Sequence, residues 1–425
     1  MKAGTAKDPV RTSRFDAKRV EGFDQRDFRQ YLAGTFLATI AMMTQSVAVA
    51  WQVYDLVREP LALGYVGLFQ FLPLALFALP AGALADRVDR RAMLAATYLL
   101  QTVSSLLFVA MALAPPQDIW PFYAVLALFG TARAFAAPAS QSLLPRLVSE
   151  ERFPRAVALT SSTRQTAVIV GPALGGAIYL LGPAIAYGTC VVCFVAVAIL
   201  IATLRVPDAP PLPQAAPSTT LGHLTAGIAY TWSKPVILGA ISLDLFAVLL
   251  GGATALLPIY ARDILHVGPI GLGLLRSAPA LGAATLGLHL ARRPPGAKVG
   301  MTMFACVAGF GFATMVFGLS RNFVLSLAAL VILGGCDMVS VYVRSSLVQL
   351  ATPDAMRGRV SAVNYLFIGA SNELGEFESG LTAAWFGTVP SVVIGGLGTL
   401  AVVVLWMLMF PDLRKVNRLS EVIPE

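Results

Sequence analysis

The stretch "ASNELGEFESG" (370–380) places Glu373, Glu376 and Glu378 between apolar flanks, "YLFIG" before it and "LTAAWFG" after it. Carboxylates in such surroundings do chemistry by changing charge. Burial favours the protonated form and exposure the ionised form, so a group that alternates between the two can carry protons; the ionised form can hold a cationic group. Asp244 and Asp337 also stand in apolar runs, as do the cations Arg133, Arg164, Arg276 and Arg344. Catalysis would need a different pattern. No Ser/His/Asp cluster, metal-ligand spacing or phosphate loop occurs, and His223, His266 and His289 are scattered. Neither a metal nor a cofactor is expected. Cys190, Cys193, Cys306 and Cys336 read as small apolar side chains, the "CVVC" pair included.

The elements that position these charges are membrane-spanning helices. The 425 residues are 57% hydrophobic and 13% charged, with a mean hydropathy of +0.73. Soluble domains carry about 25% charged residues. Apolar runs of about 20 residues, enough to cross about 30 Å of hydrocarbon, recur along the chain, and period-two alternation is absent. The sequence predicts an all-α polytopic membrane protein with twelve spans. They lie near 31–54, 61–83, 91–113, 119–142, 155–180, 184–204, 236–260, 269–290, 299–319, 323–346, 359–384 and 389–410. The first thirty residues are polar and lack an apolar signal core, so no cleaved leader is expected.

Placing both termini in the cytoplasm puts all but seven of the 31 Lys and Arg there. The exceptions are Arg58, Arg262 and Arg321 outside, and the four intramembrane arginines. That asymmetry obeys the positive-inside rule. The net charge of +8 then reads as topology and contact with anionic lipid, with no nucleic-acid partner.

A Pro-, Ala- and Ser-rich stretch, "VPDAPPLPQAAPSTT" (206–220), divides the spans six and six. The expected organisation is a cytoplasmic segment (1–30), a six-helix bundle (31–205), a linker (206–234), a second bundle (235–410) and a tail (411–425). The bundles resemble each other. A shift of 204 residues pairs Gly130 with Gly334, Ser142 with Ser346, Arg155 with Arg359, Gly171 with Gly375 and Gly176 with Gly380. A shift of 206 pairs Gly67 with Gly273 and Pro73 with Pro279. Two parallel repeats imply access to a central site between bundles that rock against each other, which makes transport the leading function class.

Intramembrane ionisable groups are costly and are functional candidates by default. At a rise of about 1.5 Å per residue, Asp244 and Arg164 each lie about 14 Å into their spans, near the midplane. Arg133 and Asp337 occupy equivalent repeat positions, about 21 Å from the outer ends. Arg276 and its equivalent Gln70 are expected to face the cavity. Glu373 and Glu376 share one helix face in the outer half, Glu378 points largely away, and Glu376 takes the place of Pro172. Arg344 is expected to snorkel at the cytoplasmic edge. Proton coupling falls to Asp244, Asp337, Glu373 and Glu376, and attraction of an acidic solute to Arg133 and Arg164. A silent outer cap or gate is the other reading of the glutamates.

The loop "GALADRVDRRAML" (82–94) resembles the signature loop of the major facilitator superfamily, with Asp89 at the place of a second glycine. The resemblance implies that Gly82, Asp86, Arg90 and Arg91 latch the two halves in one state of a cycle. Locally, Gly82 permits close helix contact, and the arginines meet anionic headgroups. "VGPALGGAIY" (170–179) resembles the antiporter motif of that superfamily's drug exporters, in which Gly171, Pro172, Gly175 and Gly176 make a thin, kinkable helix face. "SLDLFAVLLGGATALLPIYARDIL" (242–265), "RGRVSAV" (357–363) and the glutamate stretch resemble the enterobactin exporter branch, over about Phe28 to Pro411. The resemblance implies a monomeric, proton-coupled exporter of a small molecule, of siderophore or macrolide type. A multidrug pump, a lipid flippase and a membrane enzyme are the competing readings.

Overall fold

The computed structural model describes residues 14–85, 88–206, 220–293 and 295–419. All its regular elements are helical. Six long helices form the first bundle: α1 (Arg14–Val57), α2 (Pro60–Ala85), α3 (Arg90–Leu113), α4 (Trp120–Leu147), α5 (Phe153–Tyr179) and α6 (Pro183–Ala202). A short α7 (Thr220–Ser233) follows. The second bundle holds α8 (Pro235–Leu250), the three-residue α9 (Leu257–Ile259), α10 (Gly268–Arg292), α11 (Val299–Leu319), α12 (Phe323–Leu350), α13 (Asp354–Phe386) and α14 (Thr388–Met409). The chain closes on α15 (Pro411–Lys415).

Local chemistry sets several boundaries. Proline opens α2, α6 and α8, where its missing N–H would have had no helical partner. Gly182 and Gly387, at φ +114° and +90°, reverse the chain ahead of α6 and α14, a conformation that strains any residue with a Cβ. Among the described residues, nine helices are long and apolar enough to cross a membrane. Helices α5, α10 and α13 are as long but more polar, and they carry Arg164, Arg276 and the glutamates.

In the first bundle α3 lies on α4 and α6, α2 on α4, and α1 on α5 and α6. In the second, α12 lies on α10 and α11, α14 on α11, and α13 on α8. The bundles meet along two seams, α2 with α13 and α5 with α10. Two expectations change. The end of the 206–234 linker is the helix α7, whose Gly227 packs on the Arg359 carbonyl of α13. The seventh span is not one continuous helix. It breaks at Gly251–Gly252 and resumes as a 3-10 turn (Ala253–Leu256), α9 and a π turn (Tyr260–Ile264). Close packing explains the glycines: a Cβ at Gly252 would lie 2.8 Å from the Gly375 carbonyl oxygen.

Candidate functional site

Between the bundles lies a charge cluster drawn from both. Arg133 on α4 donates through Nη1 to Gln70 Oε1 (3.2 Å) on α2 and pairs with Glu373 Oε1 (3.3 Å) on α13. Arg276 on α10 donates to Ser46 Oγ on α1, so a cation from each half reaches across to the other. Glu376, one turn beyond Glu373, acts electrostatically on Arg276 and Arg133. Two cations thus face two anions. Gln70, Arg133, Glu373 and Glu376 line a cavity of about 190 Å³ with Met42 and Ser46. Glu378 is half-buried and stands outside that lining.

Two larger compartments adjoin this one. The first, about 420 Å³, shares Met42, Arg133 and Glu373 with the central cavity and adds Arg164, Gln101 and Asn372. Arg164 is exposed there and, among the described residues, makes no ion pair. The second, about 310 Å³, shares Asn372 and holds Asp337, Gln165, Thr254 and the break at Gly251–Gly252. Unpaired charge is therefore positive on the wall of the first bundle and negative on that of the second. Asn372 and Glu373, neighbours on α13, stand where the three spaces meet.

Asp244 lines none of these three spaces. It is 5% exposed and paired with Arg344, itself 1% exposed, in a contact between α8 and α12. This corrects the expectation that Arg344 snorkels to an edge. Its helix face points into the bundle, and a charge with a buried partner has no need of the interface. Sequence reasoning named Arg344 but misplaced it; the overlooked signal was that it is the second intramembrane charge on α12, two turns from Asp337.

Both seams close at the end where α2 begins and α5 ends. A Cβ on Gly380 would lie 2.6 Å from Gly64 Cα, and one on Gly67 2.9 Å from Glu376 Oε2. On the other seam Gly273 faces the Pro172 carbonyl, and Gly176 that of Pro269. The two seams are related by the internal repeat: Gly67 corresponds to Gly273, and Glu376 to Pro172. Gly171 and Gly175 use the remaining face of α5 against Met43 and Thr44 of α1, each within 2.7 Å of an added Cβ. The antiporter-like motif thus serves two helix contacts at once. Farther along the second seam Gln165 donates to the Ala280 carbonyl (3.2 Å), while the preceding Arg164 is exposed.

At the closed end the tips of α1 and the π turn add polar contacts. Asp55 pairs with Arg262, Asp263 accepts from Tyr54, and the Arg262 guanidinium sits 5.6 Å over the Trp51 ring.

The signature loop behaves differently from expectation. Asp86 lies outside the described residues. A Cβ at Gly82 would meet open space, so this glycine makes no close helix contact in this state. Asp89 caps α3, accepting from the Arg91 amide (2.9 Å). The arginines reach carbonyls within their own bundle, Arg90 that of Ser142 (3.3 Å) and Arg91 that of Leu204 (2.8 Å). Leu204 lies just past the end of α6, where carbonyls are left without a helical partner, whereas Ser142 lies inside α4. Among the described residues no His, Cys, Asp and Glu group is arranged for a metal, and the cysteines are free.

Comparison with known proteins covers almost the whole chain. Its sequence is 25% identical over 391 residues to the enterobactin exporter EntS of Citrobacter koseri, covering 91% of this chain and 92% of that one. The Shigella boydii enterobactin exporter is 24% identical over the same length. A bacterial homologue of the human lysosomal transporter Spinster, in an inward-facing unoccupied conformation, superposes with a TM-score of 0.71. That match is at 13% identity, over 94% of this chain and 98% of that one. The nucleoside transporter NupG superposes at 0.66, with 14% identity, over 91% and 99%. The transmembrane secretion effector family profile matches residues 19–422. With two bundles meeting around a charged cavity, this protein belongs to that family of the major facilitator superfamily and is a multi-pass membrane transporter.

Proposed function

We propose that the protein is a proton-coupled exporter of a small acidic solute, of the siderophore class, working by alternating access. The observation that carries this reading is the Arg133–Glu373 pair, which joins the two halves across the cavity at 3.3 Å. An acidic solute drawn in by exposed Arg164 competes with Glu373 for Arg133. With the solute on Arg133 the pair is parted on the way out, and on the return Glu373 carries a proton inward from the outside, so proton and solute move in opposite directions. In both legs the link between α4 and α13 is gone, and the halves are free to rock. The enterobactin exporters among its relatives support the solute class. Asp337, which lines a cavity, fits a second proton site, whereas Asp244 is sealed by Arg344 and acts through it.

The remaining features follow from this reading. All twelve long helices span the bacterial inner membrane, with both termini cytoplasmic, the basic loops on anionic lipid, and the chain a monomer. The sealed seams then lie on the outside and the cavity is open inward, as in the inward-facing Spinster homologue. A second reading, a multidrug pump, draws on the compartment around Asp337, where one acid stands among Phe310, Leu330 and Leu333.

The test uses a strain without its own siderophore and drug pumps, with and without this protein. Secreted metabolites are profiled by mass spectrometry and drug resistance is scored. A siderophore in the medium with unchanged resistance supports the first reading. Broad resistance without siderophore export transfers the case to the second.

A further inference from the structure

Arg344 and Asp337 share one face of α12. Seven residues separate them, which places them within about 20° of each other and about 10.5 Å apart along the axis. Helical side chains lean toward the N-terminus, so Arg344 leans toward Asp337. Its Nη1 is taken by Asp244, but its Nε is buried with no hydrogen-bond partner. A guanidinium normally satisfies its donors when desolvated, and an orphan donor on a charged group is a poor resting state. Asp337 makes no hydrogen bond or ion pair among the described residues, yet both Asp244 and Arg344 act on it electrostatically.

The charge count is one cation for two carboxylates. The other elements around Asp337 do not change it. Helix α10 brings Pro279, Ala280 and Ala283, α5 brings Gln165, α13 brings Asn372 and α11 brings Phe310, and on its own helix the adjacent thiol of Cys336 interacts with it. On α10 the nearest ionisable groups in sequence are Arg276, bonded to Ser46, and the exposed His289.

We propose that Arg344 is a movable counter-ion shared by Asp244 and Asp337, a switch that reports the protonation of Asp337 to α8. While Asp337 carries a proton, Arg344 stays on Asp244 and ties α8 to α12. When the proton leaves into the cavity, the new carboxylate competes with Asp244 for Arg344, which shifts back along α12 between the two and loosens its tie to α8, the half-helix that breaks at Gly251–Gly252. Arg344 is a positioning residue in this scheme. The inference rests on the reading of Asp337 as a proton site, and its test needs no transported solute.

Trp406 is the reporter. It donates to Ser242 Oγ at 2.9 Å and packs on Phe246 with ring centroids 5.2 Å apart, and these two residues flank Asp244 on α8. Trp51, Trp120, Trp232 and Trp385 are replaced by Phe in the full chain, which is purified into lipid nanodiscs. Trp406 emission is then titrated between pH 5 and 9. A single transition is expected, lost in Asp337→Asn. It should also be lost in the charge-neutral pair Asp244→Asn/Arg344→Gln, in which Asp337 still titrates but no arginine can move. Circular dichroism checks that each variant is folded. A flat reporter in the parent, or an unchanged transition in either variant, overturns the switch. Failure of gradient-driven export with the transition intact would instead count against the proposed function alone.

Discussion

Arg133 serves two partners at once, the Gln70 amide oxygen from its own half and the Glu373 carboxylate from the other, and only the second depends on how the halves are arranged. That division separates binding from coupling. Arg133→Gln removes a charged hydrogen-bonding partner worth about 1.5–3 kcal/mol. The KM for an acidic solute in everted vesicles should rise by about one to two orders of magnitude. Glu373→Gln leaves Arg133 charged and held by Gln70, so solute should still bind, but uptake should no longer respond to an imposed pH gradient. Gradient dependence equal to the parent's in Glu373→Gln would remove Glu373 from the coupling scheme. Asp244 and Arg344 behave as a unit. Breaking the buried pair with Arg344→Met leaves an uncompensated charge and should cost about 3–5 kcal/mol, read as a lower thermal midpoint. The double change Asp244→Asn/Arg344→Gln should recover most of that loss. Equal destabilisation in single and double variants would mean that the pair is not what holds α8 to α12.

Helices pack across the seams where side chains are smallest. Gly64 against Gly380 and Gly176 against Pro269 bring backbones into direct contact, so a larger residue cannot be absorbed by a rotamer change. Gly176→Leu should hold α5 away from α10 and open the sealed end. A cysteine at position 46, on a background with the four native cysteines replaced, should then react several-fold faster with a membrane-impermeant maleimide applied outside intact cells. An unchanged rate would show that α5 and α10 part without opening a path. Gly176 was legible in its motif and Gly380 through the repeat, because small residues at four-residue spacing carry their own packing signal; Gly64 belongs to neither and was not legible. Also legible were the all-helical character of the chain and the polar positions Gln70, Arg133, Glu373 and Glu376 in the central cavity, since a charge inside an apolar run is tolerated only where it faces a partner or a wet cavity; Met42, Ser46 and Asn372, which carry no charge, gave no such signal. The break in the seventh span was not legible, because hydropathy stays high from Pro235 to Ile264 and only the Gly251–Gly252 pair marks it. Arg344 was misread for a different reason. Depth along a helix says how far a charge lies from water but not which way it faces, and its partner stands 100 residues away in sequence. The signature loop was recognised, but a motif does not tell which of several states a structure holds.

At the scale of the whole molecule, one end is closed by two kinds of contact that differ in strength and in response to solution conditions. The glycine seams are dry and insensitive to salt. The contacts of Asp55, Arg58, Arg262 and Asp263 at the tips of α1 and the π turn are half-exposed, with side-chain exposures of 47%, 54%, 24% and 40%. Exposed ion pairs of this kind contribute about 0–1 kcal/mol each, and the Arg262–Trp51 contact adds about 0.5–1 kcal/mol. Together they bias the closed end by about one order of magnitude in population, too little to lock it and enough to set how often it opens. Asp55→Asn with Asp263→Asn should therefore raise outside labelling of a cysteine at position 46 by up to about tenfold. Raising the ionic strength toward 1 M shortens the screening length to about 3 Å and should move the parent in the same direction while leaving the double variant nearly unchanged. If neither treatment alters labelling while Gly176→Leu does, closure belongs to the seams and the charged tips serve only solvation. If both act as expected, opening is tuned by a surface network that transported charge can disturb on its way out.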